Sequence, residues 1–204
     1  KEYPDRYVDV GIAEQHSDVP SLQAELGEAH IRMGIIESEI GSSTAARTAF
    51  EQARSVLQPL VEQEPDNARY QTKLADAIFG LGTLDSAAKN TREAEAAYRQ
   101  AMTIRQRLAN EYPDVAEHRL YLAKCHNNLA NLFRNQGETS LAVAEQEVAL
   151  VLRVVLTTSY PARPDYRADL ASSYDGLANL YFDTGQRDRE EQARLRTVEI
   201  QQGL

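Results

Sequence analysis

Histidine and cysteine have the widest chemistry of the residues in this chain, and their spacing argues against a metal site or a nucleophile. The histidines are His16, His30, His118 and His126, and no two are four residues apart, the spacing that places two metal ligands on one helix face. The single Cys125 precludes an internal disulfide and a multi-cysteine zinc site. Cys125 and His126 are adjacent, so they point to different helix faces, and no third group is placed to orient the histidine. We therefore interpret these side chains as structural and expect no enzyme activity, no cofactor and no metal.

Asparagine is concentrated in one short stretch around Asn131. Lys124, Asn128, Asn131 and Asn135 follow the spacing i, i+4, i+7, i+11, which places them on one face of a helix. Asparagine is a poor helix former because its side chain competes for backbone hydrogen bonds, so this concentration suggests a function. An amide both donates and accepts, and a row of amides can hold the backbone of an extended peptide without reading its sequence. The alternative is that the asparagines only make a solvated surface.

The elements that position these residues follow an internal repeat that runs through the chain without a gap. Leucine recurs every 48 residues, once in each unit, at Leu26, Leu74, Leu122 and Leu170. A small residue follows eight positions later, at Gly34, Gly82, Ala130 and Ala178. A proline closes each of the first three units, at Pro65, Pro113 and Pro161. Such an ungapped register indicates a repeat architecture.

Each unit has the apolar pattern of two helices. In the third unit, Leu122, Leu129 and Phe133 lie on one face of a first helix. The second half continues the pattern with Leu141, Val148, Leu152, Val155 and Leu156.

The turn between the two helices is predicted to contain a residue with left-handed backbone. Glycine adopts this conformation without strain and stands between the halves of three units, at Gly41, Gly137 and Gly185. The second unit has Lys89-Asn90 there, and Asn90 is the better candidate, because asparagine tolerates this backbone next best.

A helix pair of this kind cannot bury its apolar faces alone, so adjacent pairs must stack into an all-α solenoid. The register predicts one solenoid domain with repeats at 18–65, 66–113, 114–161 and 162–204, the last of them truncated. Residues 1–17 are interpreted as part of a preceding unit or as an extra N-terminal segment.

The order of small residue, turn glycine, alanine, aromatic and alanine resembles the tetratricopeptide repeat. It is read from Gly34, Gly41, Ala46, Phe50 and Ala53. The third and fourth units depart from it, with Gln146 and Arg194 in the aromatic column. The usual repeat has about 34 residues. The longer period here, with Asn127-Asn128-Leu129-Ala130 before Gly137, is similar to repeats of the kinesin light chain type and to repeats beside kinase domains in bacteria, notably planctomycetes.

This resemblance implies a right-handed superhelix whose first helices line a concave, partner-binding surface. In the family, an asparagine at the position of Asn131 and Asn179 often binds the ligand backbone, and nearby lysine and arginine grip a terminal carboxylate. The candidate partner-binding residues are Arg32, Asp76, Lys124, Asn127, Asn128, Asn131, Arg134, Asn179 and Asp183. Arg153, on the second helix of the third unit, is expected to face away from this surface.

Composition narrows the possible partners. The chain has 204 residues, with 31 acidic and 22 basic side chains and a formal net charge of −9, which disfavours nucleic acid because phosphates bind clustered lysine and arginine. No apolar run approaches the roughly 20 residues of a membrane span, and no secretory signal is visible, so we expect a cytoplasmic protein without membrane contact. The predicted function is a non-catalytic scaffold for a peptide or protein. The alternative is a regulatory repeat region of a larger bacterial signalling enzyme, such as a serine/threonine kinase.

Overall fold

The structure, a computed structural model, describes residues 19–203. Within this range the chain is all-α and forms no strand. The helices are α1 (Pro20–Glu39), α2 (Ser43–Gln63), α3 (Ala68–Ala87), α4 (Thr91–Glu111), α5 (Ala116–Asn135), α6 (Thr139–Ser159), α7 (Pro164–Asp183) and α8 (Arg187–Gln202). The all-α fold predicted from the repeat is confirmed. The segment 1–17 lies outside the described residues.

The turns that join the helices of a pair are closed by left-handed glycines, as predicted. Gly41, Gly137 and Gly185 have φ of 88°, 80° and 70°. After α1, the Gly41 N–H donates to the Ser38 carbonyl at 3.3 Å and the next N–H donates to the Glu37 carbonyl at 2.8 Å. This is the Schellman arrangement, which satisfies the last carbonyls of the helix.

The turn after α3 corrects one prediction. Lys89, not Asn90, takes the left-handed conformation, with φ of 62°. Lys89 stands one repeat after Gly41 and one repeat before Gly137, so the register decides the position. Asn90 is needed for the next helix, since its carbonyl accepts the Ala94 N–H at 3.0 Å. The predicted assignment of the left-handed backbone to Asn90 was wrong.

The chain divides into two compact units between Ala97 and Tyr98, within α4. In the first unit, α2 packs against both α1 and α3. The buried ring of Phe50 on α2 lies against Gly34 of α1 and Gly80 of α3. A Cβ added at either glycine would come within 2.8 Å of the ring at Gly34 and 2.6 Å at Gly80. The two glycines therefore allow one aromatic side chain to fill the space between three helices.

The second unit repeats this packing with α6 in contact with both α5 and α7, and with α7 in contact with α8. Leu129, Leu156 and Leu177 are buried in it, and Ala130 and Ala178 are almost fully covered. The small residues of the repeat thus lie in the interior.

The predicted apolar stripe of α6 is only partly buried, which corrects the sequence interpretation. Leu156 is 1% exposed, but Leu141, Val148 and Val155 are 49%, 42% and 39% exposed. The face of α6 that packs against α5 and α7 carries Ala142, Gln146, Ala149, Arg153 and Leu156. Those three exposed apolar residues lie on the opposite side of the helix.

We expect Gly80→Ala to destabilise the chain by about 1–2 kcal/mol. Alanine in an open helix position would stabilise by about 0.5–1 kcal/mol relative to glycine, but overpacking a filled interior costs about 1–3 kcal/mol. Urea unfolding measures the difference. Adding Phe50→Leu to Gly80→Ala should recover part of the loss, because the smaller side chain makes room for the Cβ. A Gly80→Ala variant as stable as the parent would show that the ring does not fill this space.

His118 is expected to make the chain sensitive to acid. Its side chain is buried, and the equivalent positions of the neighbouring repeats hold Tyr70 and Tyr166. Burial, with the nearby Arg105 guanidinium, lowers the pKa of His118 below the ordinary value of 6.5. As the pH falls, the unfolded chain therefore takes up this proton before the folded chain does. The free energy of unfolding that this histidine contributes is fully present above pH 6.5 and is lost as the pH falls below it. The slope contributed by one proton is at most about 1.4 kcal/mol per pH unit. Thermal melting across this pH range should show a flatter profile for His118→Tyr, and an unchanged profile would assign the acid sensitivity to other groups.

Candidate functional site

The predicted site residues lie on the first helices of the hairpins. Arg32 on α1 and Asp76 on α3 belong to the first unit. The other seven lie in the second unit, on α5 (Lys124, Asn127, Asn128, Asn131 and Arg134) and on α7 (Asn179 and Asp183). We call the surface of the second unit formed by these two helices the α5–α7 face.

The α5–α7 face contains a pocket of about 220 Å³. Asn127, Asn131 and Arg134 line it from α5, and Ser172 and Asp175 line it from α7. Three of the predicted residues therefore surround one pocket. Its lining has one guanidinium and one carboxylate, so the pocket has no net charge, and the other side chains named here are neutral amides and a hydroxyl.

Helix geometry explains which predicted residues reach the pocket. At roughly 100° per residue, Asn127 and Arg134 lie to one side of Asn131 around α5, and Asn128 and Asn135 lie to the other. The pocket takes the side that faces α7. The remaining asparagines extend the polar surface beyond the pocket, on the same helix.

The floor of the pocket is formed by Gln146 from α6, which stands in the aromatic column of the repeat and was not predicted as a site residue. The side chain is 3% exposed, and its Nε2 donates to Asn127 Oδ1 at 3.4 Å and to the Ser173 carbonyl at 3.5 Å. A Cβ added at Gly176 of α7 would lie 3.0 Å from this Nε2. Gln146 thus links α6 to both helices of the face and restrains the Asn127 amide.

Arg153 follows Gln146 on the inner face of α6, so the sequence expectation for it is corrected. It does not line the pocket, but it points to the same side of α6 as Gln146 and is buried against α7, 5% exposed, where its Nη1 donates to Ser173 Oγ. Burial lowers the pKa of the guanidinium, and the Asp169 carboxylate opposes that shift. Removing a buried hydrogen-bonded cation perturbs the fold, so Arg153 is not a neutral surface position.

Arg134 and Asp183 pair with each other across the face. The guanidinium Nη2 lies 3.1 Å and Nε lies 3.2 Å from Asp183 Oδ2, and both side chains are partly exposed. The positive charge predicted to meet a ligand carboxylate is therefore balanced within the chain. Lys124 lies over the Tyr121 ring, with Nζ 4.8 Å from the ring centroid, a cation–π contact outside the pocket lining.

Two polar pocket residues of α7 were missed as site residues, although the register contained the signal. Asp175 stands one repeat after Asn127, and Ser172 stands one repeat after Lys124. Equivalent positions on the first helices of neighbouring repeats lie side by side. A site residue on α5 therefore predicts that the residue one repeat later, on α7, belongs to the same site.

The histidine and cysteine near this face have structural environments. Cys125 is buried, and His126 Nδ1 lies 2.6 Å from Glu145 Oε2 on α6, so the expectation that no group orients this histidine was wrong. Within residues 19–203, no three histidine, cysteine or acidic side chains are grouped so that they could hold a metal ion. In the same range, no helix is both long and apolar enough to cross a membrane.

The chain is similar to known repeat proteins in sequence and in fold. The sequence model of the tetratricopeptide repeat family matches residues 74–118. The resemblance to the tetratricopeptide repeat predicted from the sequence is thus confirmed for this segment. Its fold is similar to the crystal structure of BtubC (BKLC) from P. vanneervenii, with 16% identity and a TM-score of 0.58 over 95% of this chain and 87% of that one. This likeness shows the repeat fold.

A second similar structure is that of MamA, with 15% identity and a TM-score of 0.47 over 87% of this chain and 93% of MamA. No curated protein matches the sequence.

We expect the Arg134–Asp183 pair to contribute about 0.2–1 kcal/mol, as exposed ion pairs do. A double-mutant cycle with Arg134→Ala and Asp183→Ala, followed by urea unfolding, measures the coupling. The coupling should shrink as salt is added, because the pair is accessible to solvent. A coupling of zero at low salt would mean that Arg134 is free to meet a ligand carboxylate.

Proposed function

We propose that the chain is a non-catalytic interaction scaffold that binds an extended segment of a peptide or protein on the α5–α7 face. The observation that carries this proposal is the pocket between the two helices, lined by Asn127 and Asn131 and floored by Gln146. Tetratricopeptide repeats generally mediate protein–protein interaction, which supports the same function. The association with a kinase stays a prediction from the sequence.

The chemistry of the pocket favours recognition of peptide backbone. The Asn131 amide is exposed and supplies a donor and an acceptor, as a peptide group requires. The Asn127 amide is restrained by Gln146, so ordering it on binding costs less conformational entropy than ordering a free side chain. Ser172 adds a hydroxyl that also donates and accepts.

Size and charge limit what the pocket can hold. A volume of about 220 Å³ lies below the roughly 300–1,000 Å³ of a small-molecule site, so it suits one residue of a chain that crosses the face. Arg134 is paired with Asp183 and Asp175 adds a negative charge, which disfavours a grip on a terminal carboxylate. We therefore expect a partner segment that is bound internally along its backbone.

The test compares two double variants in affinity capture followed by direct binding measurement. Asn131→Ala with Asn179→Ala removes equivalent amides of α5 and α7, and alanine is the better helix former, so the variant should fold. Each amide contributes about 0.5–1.5 kcal/mol, so the pair should weaken binding by about 5- to 150-fold in Kd. Partners captured by the parent chain from the source organism are identified by mass spectrometry, and calorimetry with the captured partner gives the Kd.

The matched control is Gln52→Ala with Gln100→Ala. Both are exposed amides on second helices, α2 and α4, so the control removes the same chemistry from another surface. It should bind every partner as the parent does. If the two double variants retain partners equally, the asparagines are only a solvated surface and the proposal is wrong.

A further inference from the structure

The outer side of α6 carries an apolar stripe that the peptide-binding proposal does not use. Its residues are exposed and follow the spacing i, i+3, i+7, i+10, i+14, i+17. They are Leu141, Ala144, Val148, Val151, Val155 and Thr158. This is the a/d spacing of a coiled coil, the pattern by which one helix packs along another. We call these six residues the α6 seam.

The α6 seam differs from the equivalent positions in the other hairpins. In α4, one repeat earlier, those positions hold exposed Glu93, Ala96, Gln100, Thr103, Arg107 and Asn110. In α8, one repeat later, they begin with exposed Arg189, Gln192 and Arg196. The repeat therefore places this face in solvent and normally makes it polar. Only in α6, among the described second helices, do the positions form an apolar row.

Helix stability does not explain the valines. Val148, Val151 and Val155 are 42%, 61% and 39% exposed, so about half of their apolar surface stays in contact with solvent. A β-branched residue also lowers helix propensity at an exposed site, where alanine, glutamate or lysine would serve better. A helix packed along this face would account for their presence.

We infer that the α6 seam pairs with the α6 seam of a second copy of this chain, with the two helices antiparallel. In an antiparallel pair, a residues pack against d residues of the other helix. A two-fold axis between Ala149 and Leu150 places Val148 opposite the second copy's Val151, and Ala144 opposite its Val155. The seam is thus complementary to itself, as a two-fold interface requires.

Side-chain volume favours this direction over a parallel pair. The parallel arrangement would place Ala144 opposite Ala144 and leave a gap in the interface. The antiparallel arrangement places the small Ala144 opposite Val155, so small and large residues alternate.

Charge permits a second copy on this face. The seam has no charged residue, and two acidic residues flank its N-terminal half. Glu145 is paired with His126, and Glu147 accepts the Tyr181 hydroxyl at 2.8 Å and lies 3.6 Å from Arg189. In the antiparallel pair they lie beside Leu152 and Val154 of the second copy, so no like charges oppose each other. Each copy has a formal net charge of −9, so added salt should strengthen the association by screening long-range repulsion.

The test measures self-association of the full chain by analytical ultracentrifugation over a range of concentrations. Val148→Glu with Val151→Glu should weaken the dimer by about tenfold or more in Kd, because pairing would bury carboxylates without partners. The matched control, Gln100→Glu with Thr103→Glu, makes the same change at the equivalent positions of α4 and should associate as the parent does. Circular dichroism of both variants should match the parent, and so should thermal melting at concentrations low enough for the parent to be monomeric, since all four positions are exposed.

The direction of the pair is tested by cross-linking of single-cysteine additions. Leu141→Cys mixed with Thr158→Cys should form a disulfide-linked dimer under mild oxidation, and neither should link to itself; buried Cys125 should not react. Three outcomes would overturn the inference: a parent chain that stays monomeric at all concentrations, a glutamate variant that associates as the parent does, or self-linkage of Leu141→Cys. A monomeric parent whose α6 seam binds the amphipathic helix of another protein belongs to the first outcome. These results are independent of peptide binding on the α5–α7 face.

Discussion

The described packing depends on one side chain from the second helix of a hairpin. This side chain lies between the first helix of its own hairpin and the next hairpin. Phe50 performs this role in the first unit, in contact with Gly34 and Gly80. Gln146 occupies the same repeat column in the second unit, in contact with Asn127 and with the α7 backbone. Without the next hairpin, this side chain would lose its contacts on one side. The column therefore makes stacking of hairpins a condition of folding.

The chemistry of this column decides what the adjacent face can do. An aromatic ring fills the space with apolar contacts and makes no demand on its neighbours. A buried amide must find hydrogen-bond partners, because a lost hydrogen bond in the interior costs about 1–3 kcal/mol. Gln146 meets this demand through the Asn127 side chain and the Ser173 carbonyl, and both belong to the helices that form the α5–α7 face. The polar floor of the pocket thus follows from one change of residue type in a structural column.

Features of this fold that depend on a single residue type or a single period could be predicted from the sequence. Prediction failed where the same pattern is compatible with two different structures. The glycine turns were predictable because left-handed backbone favours glycine. Lys89 was missed because residue preference favoured Asn90, whereas the register and the capping hydrogen bonds decide the position. The burial of α6 was misread because Leu156 and Val148 both fit a helical period, and periodicity does not distinguish a core face from an outer seam. Asp175 could have been found by carrying Asn127 forward by one repeat.

The two faces of α6 lie on opposite sides of one helix, which separates the two proposed interactions. At roughly 100° per residue, the inner residues around Gln146 and Ala149 lie about 150° from the centre of the α6 seam. A helix that covers the seam therefore leaves the α5–α7 face open. Two copies paired through α6 would present two such faces, and a partner with two suitable segments would bind more tightly than either segment alone, provided that the segments span the distance between the faces. The apolar outer row and the polar inner residue of α6 would then serve one purpose, to convert weak recognition of peptide backbone into useful affinity.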